Sequence, residues 1–595
     1  MLTSNRNSRI TVALLWILAL LLGVVQTWWT RHRIFSDGIS YLEIAANYAA
    51  GNWNLALNAY WSPLYSWILA LAFLTLHPAP YWQVATLHLV NFLAYALGLL
   101  AFSSLLRELL PFRAETGLSC NAIYVAGYTS YIFAGLYLIG VGYCSPDMIA
   151  MLLTILLAVS ILRICRGQAT LLLYLAVGFL FGLSFLARTA FAGLSALFLL
   201  PIALCLHSRR GRWLQPSLII AGCALLTAGP FVVALSLKEH RFTLGDSGKL
   251  NYGWEISGAA RSIHWQGEPY DIGVPVHPTR LVIVNPATYT FDGPVPGSYP
   301  PWYDPSFWYG GIQPKLRWRR QITVLFYSAS YSIFLLIRSP VFLPCLCLAA
   351  LTGFRAAFWK FLSFWPVLLP CVAGIALYCL VFVDKRYIAS FLLIIWMVVL
   401  VSMQDIPAQW RSRASQASYL LSFLFFLPFA AKDLALHTEL AFADLVHRNE
   451  AEPNLNYMLA KRFQELGLKS GDKIAYIGLG INADWARLDK VRIVSEIPVR
   501  YLRPSTLFGS KLIDDPGLIS AFWHADPATQ NKVLDAFRAA GARMVVTDGL
   551  YSPKEAAKWQ LVLKPGQQHL PFSGGEFPDQ ENSRYLPLAP LSPGA

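Results

Sequence analysis

The feature that most constrains this chain is the recurrence of apolar runs long enough to cross a bilayer. A helical span takes about 20 predominantly apolar residues, and such runs fall at 10–29, 81–106, 119–141, 147–164, 169–187, 189–207, 214–237, 340–354, 361–383, 387–403 and 416–431. Hydrophobic residues make up 56% of 595 and charged residues 13%, which excludes a soluble globular protein of this length. The expectation is an α-helical polytopic membrane protein with about 11 transmembrane helices. The first run follows Arg6 and Arg9 and lacks a small-residue cleavage site, so it reads as a retained signal anchor.

The formal net charge is +14, yet the cations stand in small groups at the ends of apolar runs, with no single patch of the kind nucleic acid requires. With the N-terminus in the cytoplasm, the even-numbered gaps carry Arg107 and Arg113, Arg163 and Arg166, Arg209, Arg210 and Arg212, Arg355 and Lys360, then Arg411 and Arg413. All fall on the cytoplasmic side of the membrane, as the positive-inside rule asks. Residues 61–77 and 322–337 are apolar but short or interrupted, and read as interfacial or half-inserted helices on the outer side. The nine cysteines lie in or beside apolar segments, which indicates neither a disulfide framework nor a cysteine metal cluster.

This division gives residues 1–431 as the membrane domain, with outer loops 30–60 and 238–320, and residues 432–595 as a soluble domain on the outer, periplasmic side. The long loop, rich in Pro, Gly, Tyr and Trp, reads as an ordered irregular cap. The terminal region alternates helix 454–466, strand 473–477, helix 483–488, strand 491–497, helix 530–540 and strand 543–547, which implies a small α/β layer with a mostly parallel sheet. Its Gly478-Leu479-Gly480-Ile481-Asn482-Ala483 segment, with Glu496 downstream, approaches a dinucleotide fingerprint. It reads as a tight glycine turn between strand and helix.

Chemistry is concentrated on the outer face. Asp37 lies just past the first span and Asp147 opens a later one after Ser145-Pro146, so two acids from separate elements share one side. Arg31, Arg33, Arg188, Lys385 and Arg386 lie on that side too, against the positive-inside trend. Cations held there need an anionic partner, either lipid head groups or a specific phosphate, which suits the Arg fork and the Lys point charge. His32 reads as an interfacial residue.

Four short motifs, Ser36-Asp37-Gly38-Ile39-Ser40-Tyr41, Ser62-Pro63-Leu64-Tyr65, Ser145-Pro146-Asp147 and Asp384-Lys385-Arg386-Tyr387, occur in an order and sidedness that resemble GT-C glycosyltransferases. More narrowly the chain is similar to the bacterial branch related to dolichyl-phosphate-mannose protein mannosyltransferases and lipid A aminoarabinose transferases. The resemblance implies a glycosyltransferase that moves a sugar from a polyprenyl-phosphate carrier to an acceptor hydroxyl on a glycan, lipid or protein, with membrane lipid as a further partner. It implies Asp37 as base, Asp147 as second acid, and Lys385, Arg386 and Arg188 as donor-phosphate binders. Tyr41, Glu43, Tyr65 and Tyr387 stand in or beside the motifs as substrate-loop residues. Some members use a divalent metal, Mg or Mn, which Asp37 and Asp147 would hold here; Gly38 stands where an adjacent second acid would complete a pair. A single base facing the leaving group implies inversion at the anomeric carbon. The rival expectations are a lipid-linked saccharide transporter or flippase, and a non-catalytic envelope assembly protein.

Overall fold

The computed structural model describes residues 6–211, 213–261, 264–352, 354–446, 454–502, 505–506, 509–510, 513–515, 517–548, 559–562 and 583–588. The protein is a multi-pass, mostly helical membrane protein with a sheet near its C-terminus. Among the described residues, eight helices are long and apolar enough to cross a membrane, and a ninth crossing results if Phe354–Ser363 and Trp365–Cys379, bent by 85°, form one span. Polar residues punctuate the runs where the sequence suggests. Ser119 caps the Cys120–Ile132 helix through the Ala122 N–H, Thr170 caps Leu171–Ala187 through Leu173, and Asp384 caps Lys385–Ser402 through Arg386.

Three stretches differ from the sequence expectation. Trp318–Ile337, set aside above as interfacial, is a continuous 20-residue helix of spanning length. Its serines interrupt the apolar pattern without breaking the helix, because Ser332 Oγ donates back to the Ser328 carbonyl at 2.8 Å. The following Phe342–Thr352 helix has only 11 residues, too few to cross alone. Finally, Cys165 and Cys205 are bonded, their Cα atoms 5.4 Å apart, where the sequence indicated no disulfide. Neighbouring helices Asp147–Cys165 and Phe191–Arg210 bring together two residues that nothing local in the sequence relates.

The apolar run 119–141 is an α-helix that loosens into a π-helical segment, Phe133–Ile139, before Gly140. Gln26 ties this end to the first helix, its Nε2 donating to the Leu136 carbonyl at 3.0 Å and its Oε1 accepting from the Val141 N–H at 2.9 Å.

Among the described residues the sheet has seven strands in the order Arg280–Ile283, Thr288–Thr290, Arg492–Pro498, Lys473–Gly478, Met544–Thr547, Arg584–Pro587 and Gln560–Leu561. The central three pair in parallel and the outer ones antiparallel. Alternation sorts their side chains, with a bulge at Val494 that resets it in one strand: Ala475, Ile477, Val494 and Ile497 pack with Phe522, Val533 and Phe537, while Ile474, Tyr476 and Ile493 join the core shared with Phe463, Trp485 and the membrane helices. Two strands come from the long loop, whose Tyr289 and Thr290 pair with Glu496 and Ser495. Gly478, at φ +136, makes the turn out of the central strand, and a Cβ there would meet the Asp548 carboxylate.

Candidate functional site

Asp37 sits in the first turn of the Ser36–Ala49 helix. The N-cap, Phe35, has no side-chain acceptor, and the Ser36 N–H is taken instead by Asn482 Oδ1, at 3.3 Å, from the turn after strand Lys473–Gly478. On its other side the helix lies against Cys144: a Cβ on Gly38 would stand 2.5 Å from the Cys144 Cβ. The helix reaches this position because residue 38 is glycine, and an acid beside Asp37 has no room.

Asp147 opens the Asp147–Cys165 helix and is 2% exposed. Ser145 Oγ donates to its Oδ2 at 2.7 Å, Arg188 Nη2 donates to Oδ1, and Arg386 Nη1 lies 3.4 Å from Oδ2. A carboxylate so deeply buried is stable only with such partners. Arg386 also reaches 4.0 Å from Asp37 and 3.4 Å from Asp384. Both guanidinia stack on tyrosines, Arg188 over Tyr387 at 4.1 Å and Arg386 over Tyr143 at 4.2 Å. The Arg188 Nε–H has no acceptor among the described groups.

Asp37, Arg188 and Arg386 line one cavity of about 420 Å³, together with Tyr41, Tyr60, Trp61, Ser145, Asn251 and Tyr387. Its wall thus draws on the first polar interval, the turn before Asp147, the end of the Leu171–Ala187 helix, the long loop, and the region of Asp384–Tyr387. Burial pushes the phenols of Tyr41, Tyr60 and Tyr143 well above the ordinary tyrosine value, so they present hydroxyl donors at neutral pH.

The remaining expected residues are placed apart. Lys385 is exposed and donates to the Tyr137 carbonyl at 3.0 Å, closing the π-helical end. Glu43 accepts the Ser298 N–H at 2.7 Å, and burial raises its carboxyl above the usual range. Tyr65 is fully buried, donates to Asn91 at 3.0 Å, and meets Tyr41 edge-on at 5.0 Å. His32 accepts from Asn454 and packs against Tyr81; burial pulls its imidazole down to about 3. Sequence reasoning missed Tyr60, Trp61, Tyr143, Asn251 and Trp302, whose indole N–H donates to Asp37 Oδ1 at 3.3 Å. The Tyr299-Pro300-Pro301-Trp302-Tyr303 cluster was visible as aromatic, but nothing in its spacing links it to position 37.

The donor set does not suit a divalent ion. Both Asp147 oxygens are engaged by Ser145 and two guanidinia, and the described residues contain no cluster of three His, Cys, Asp or Glu able to hold a metal.

No family profile and no curated protein sequence matches the chain. Among solved structures, ArnT from Cupriavidus metallidurans bound to undecaprenyl phosphate shares 11% identity with a TM-score of 0.51, over 98% of this chain and 99% of that one. The same protein in its apo state gives 12% and 0.51 over the same shares. The oligosaccharyltransferase of Archaeoglobus fulgidus in its apo form gives 12% and 0.43, over 92% and 70%, and carries no argument at that distance. The chain therefore has the fold of that ArnT over 98% of its length.

Proposed function

We propose that the protein is an inverting glycosyltransferase that moves a sugar from a polyprenyl-phosphate carrier to an acceptor hydroxyl at the outer face of a bacterial inner membrane. The observation that carries this reading is the meeting of Asp37, Arg188 and Arg386 at one aromatic-walled cavity, with the buried Asp147 holding the two guanidinia from behind, in a chain whose fold is that of a protein crystallised with undecaprenyl phosphate. Asp37 takes the proton of the acceptor hydroxyl as its oxygen bonds to the anomeric carbon. The bond from that carbon to the phosphate oxygen breaks, and the electron pair leaves on the carrier phosphate. Arg188 and Arg386, anchored on Asp147, neutralise that charge with preorganised N–H donors, and the phenols and indoles around them bind the sugar.

The sidedness follows from loop charge. If Trp318–Ile337 crosses and Phe342–Thr352 does not, the number of crossings is unchanged. Arg338, Arg355 and Lys360 then share the cytoplasmic side, while the cavity and residues 432–595 lie outside. The test is mass spectrometry of envelope glycans and glycolipids from a strain lacking the protein. One missing sugar, restored by the wild-type gene and not by Asp37→Asn, supports the reading; an unaltered envelope overturns it.

A further inference from the structure

Asp37 is held from behind by a residue of the long loop. Trp302 donates its indole N–H to Asp37 Oδ1, and its own carbonyl accepts from Ser40 Oγ at 3.1 Å, one turn further along the same helix. The same carbonyl accepts the Trp61 indole N–H at 3.2 Å. The ring stacks on Trp254 with centroids 6.2 Å apart and meets Trp61 edge-on at 5.8 Å. Asp37 and Trp61 line the cavity and Trp302 does not. The indole grips one carboxylate oxygen from beside the cavity lining. The other oxygen faces Arg386.

The loop segment that leads into Trp302 is tied to the C-terminal sheet. The Phe291 N–H donates to the Val494 carbonyl at 2.8 Å, Arg492 donates to the carbonyls of Gly293 and Val295 at 2.5 and 2.6 Å, and the Ile493 N–H donates to Ser298 at 2.9 Å. The segment then turns onto the catalytic helix: the Ser298 N–H meets Glu43, and Asn58 Nδ2 donates to the Tyr303 carbonyl at 2.7 Å.

We propose that Trp302 is a positioning residue that sets the rotation of the Asp37 carboxylate, and that the C-terminal sheet serves the reaction by holding Trp302 in place. A carboxylate with one oxygen gripped by a fixed donor presents the other in a single direction, which a proton acceptor needs and a freely rotating group lacks. The inference rests on Asp37 acting as the base.

The test uses the full-length protein and Trp302→Phe, which keeps a ring and removes the donor. Undecaprenyl phosphate serves as the binding probe, and the envelope sugar missing from the deletion strain reports transfer. The expected result is binding unchanged within about twofold and transfer at least about tenfold lower, with part of the loss restored by Trp302→His, which returns a ring N–H. Unchanged transfer overturns the proposal, and so does binding that falls in step with transfer, since Trp302 would then be a wall of the ligand site. Should Trp302→Phe not fold, the indole ¹⁵N–¹H resonance of Trp302 in otherwise wild-type protein decides. It shifts on Asp37→Ala if the contact exists and stays in place if it does not. Full transfer by Asp37→Asn would remove the functional reading alone, leaving the resonance as a separate test of the contact.

Discussion

Arg386 stands 3.4 Å from Asp147 with one nitrogen while a second reaches 4.0 Å from Asp37, so a single guanidinium bridges two acids more than a hundred positions apart in the chain. Replacing it by alanine removes charge-assisted contacts at the cavity and leaves Asp147 with Arg188 and Ser145. Undecaprenyl phosphate should bind about 10- to 150-fold more weakly, the equivalent of roughly 1.5–3 kcal/mol, measured by titration in detergent. Lys385→Ala, which removes an exposed contact to the Tyr137 carbonyl, should leave this affinity within about threefold.

Asp37→Asn preserves size and still accepts from Trp302, so the protein should fold and bind undecaprenyl phosphate normally. Transfer should fall by about 10²–10⁴-fold, the usual cost of losing a general base. Chelation of divalent ions in the wild-type assay should change nothing, because Asp147 is already saturated by cationic and hydroxyl donors.

Gly38→Ala tests the packing that brings the Ser36–Ala49 helix to its place. The new methyl would stand 2.5 Å from the Cys144 Cβ, and overpacking of this kind costs about 1–3 kcal/mol. A lower melting temperature and reduced transfer are expected. Cys144→Gly removes the opposing atom, so the double variant should recover stability relative to Gly38→Ala, and a purely additive result would count against the contact.

Asp304 caps the short Pro305–Trp308 helix through the N–H groups of Ser306 and Phe307, and burial pushes its carboxyl up to about 7 against the pull of nearby Lys238. A carboxyl raised in the folded state favours its proton there. Its contribution is complete below the unfolded value near pH 4 and is lost as pH rises through about 7, at most on the order of 4 kcal/mol. Asp489, raised to about 7 by burial, acts with the same sign. Asp304→Asn keeps the cap without the charge, so its melting temperature should fall less than that of the wild type between pH 4.5 and pH 8.

Sidedness can be read directly. In a background with the exposed Cys347 replaced by alanine, a cysteine at Ser470 or Val284, both exposed, should react with a membrane-impermeant thiol reagent after the outer membrane is permeabilised. One at Ser208 should not. The reverse pattern would place the cavity in the cytoplasm.

Much of the architecture was legible because it depends on local periodicity. The parallel strands Lys473–Gly478, Arg492–Pro498 and Met544–Thr547 lie where alternating apolar residues put them, and most long apolar runs became helices. Asp147 stood out as an acid opening a span on the same side as Asp37, and Arg386 as a cation on the side where positive charge is disfavoured. What stayed hidden was pairing at long range. Strands Arg280–Ile283 and Thr288–Thr290 carry no strong alternation and exist as strands because Arg492–Pro498 offers them an edge. Trp302 looked like any other aromatic in a proline-rich loop. Lys385 and Arg386 are adjacent and looked equivalent, yet the helix they open turns one into the cavity and the other out of it.

The hairpin that the long loop lends to the sheet also dictates an order of events during synthesis. Its partner strand begins at Arg492, and residues are made from the N-terminus at about 5–20 per second. A ribosome that has already threaded every membrane helix still has to finish this strand before Phe291, Val295 and Ser298 find their partners. Until then the segment that carries Trp302 lacks its ties to the sheet. On the proposed function, a nascent or truncated chain ending before that strand should insert in the membrane and remain inactive until the strand is made.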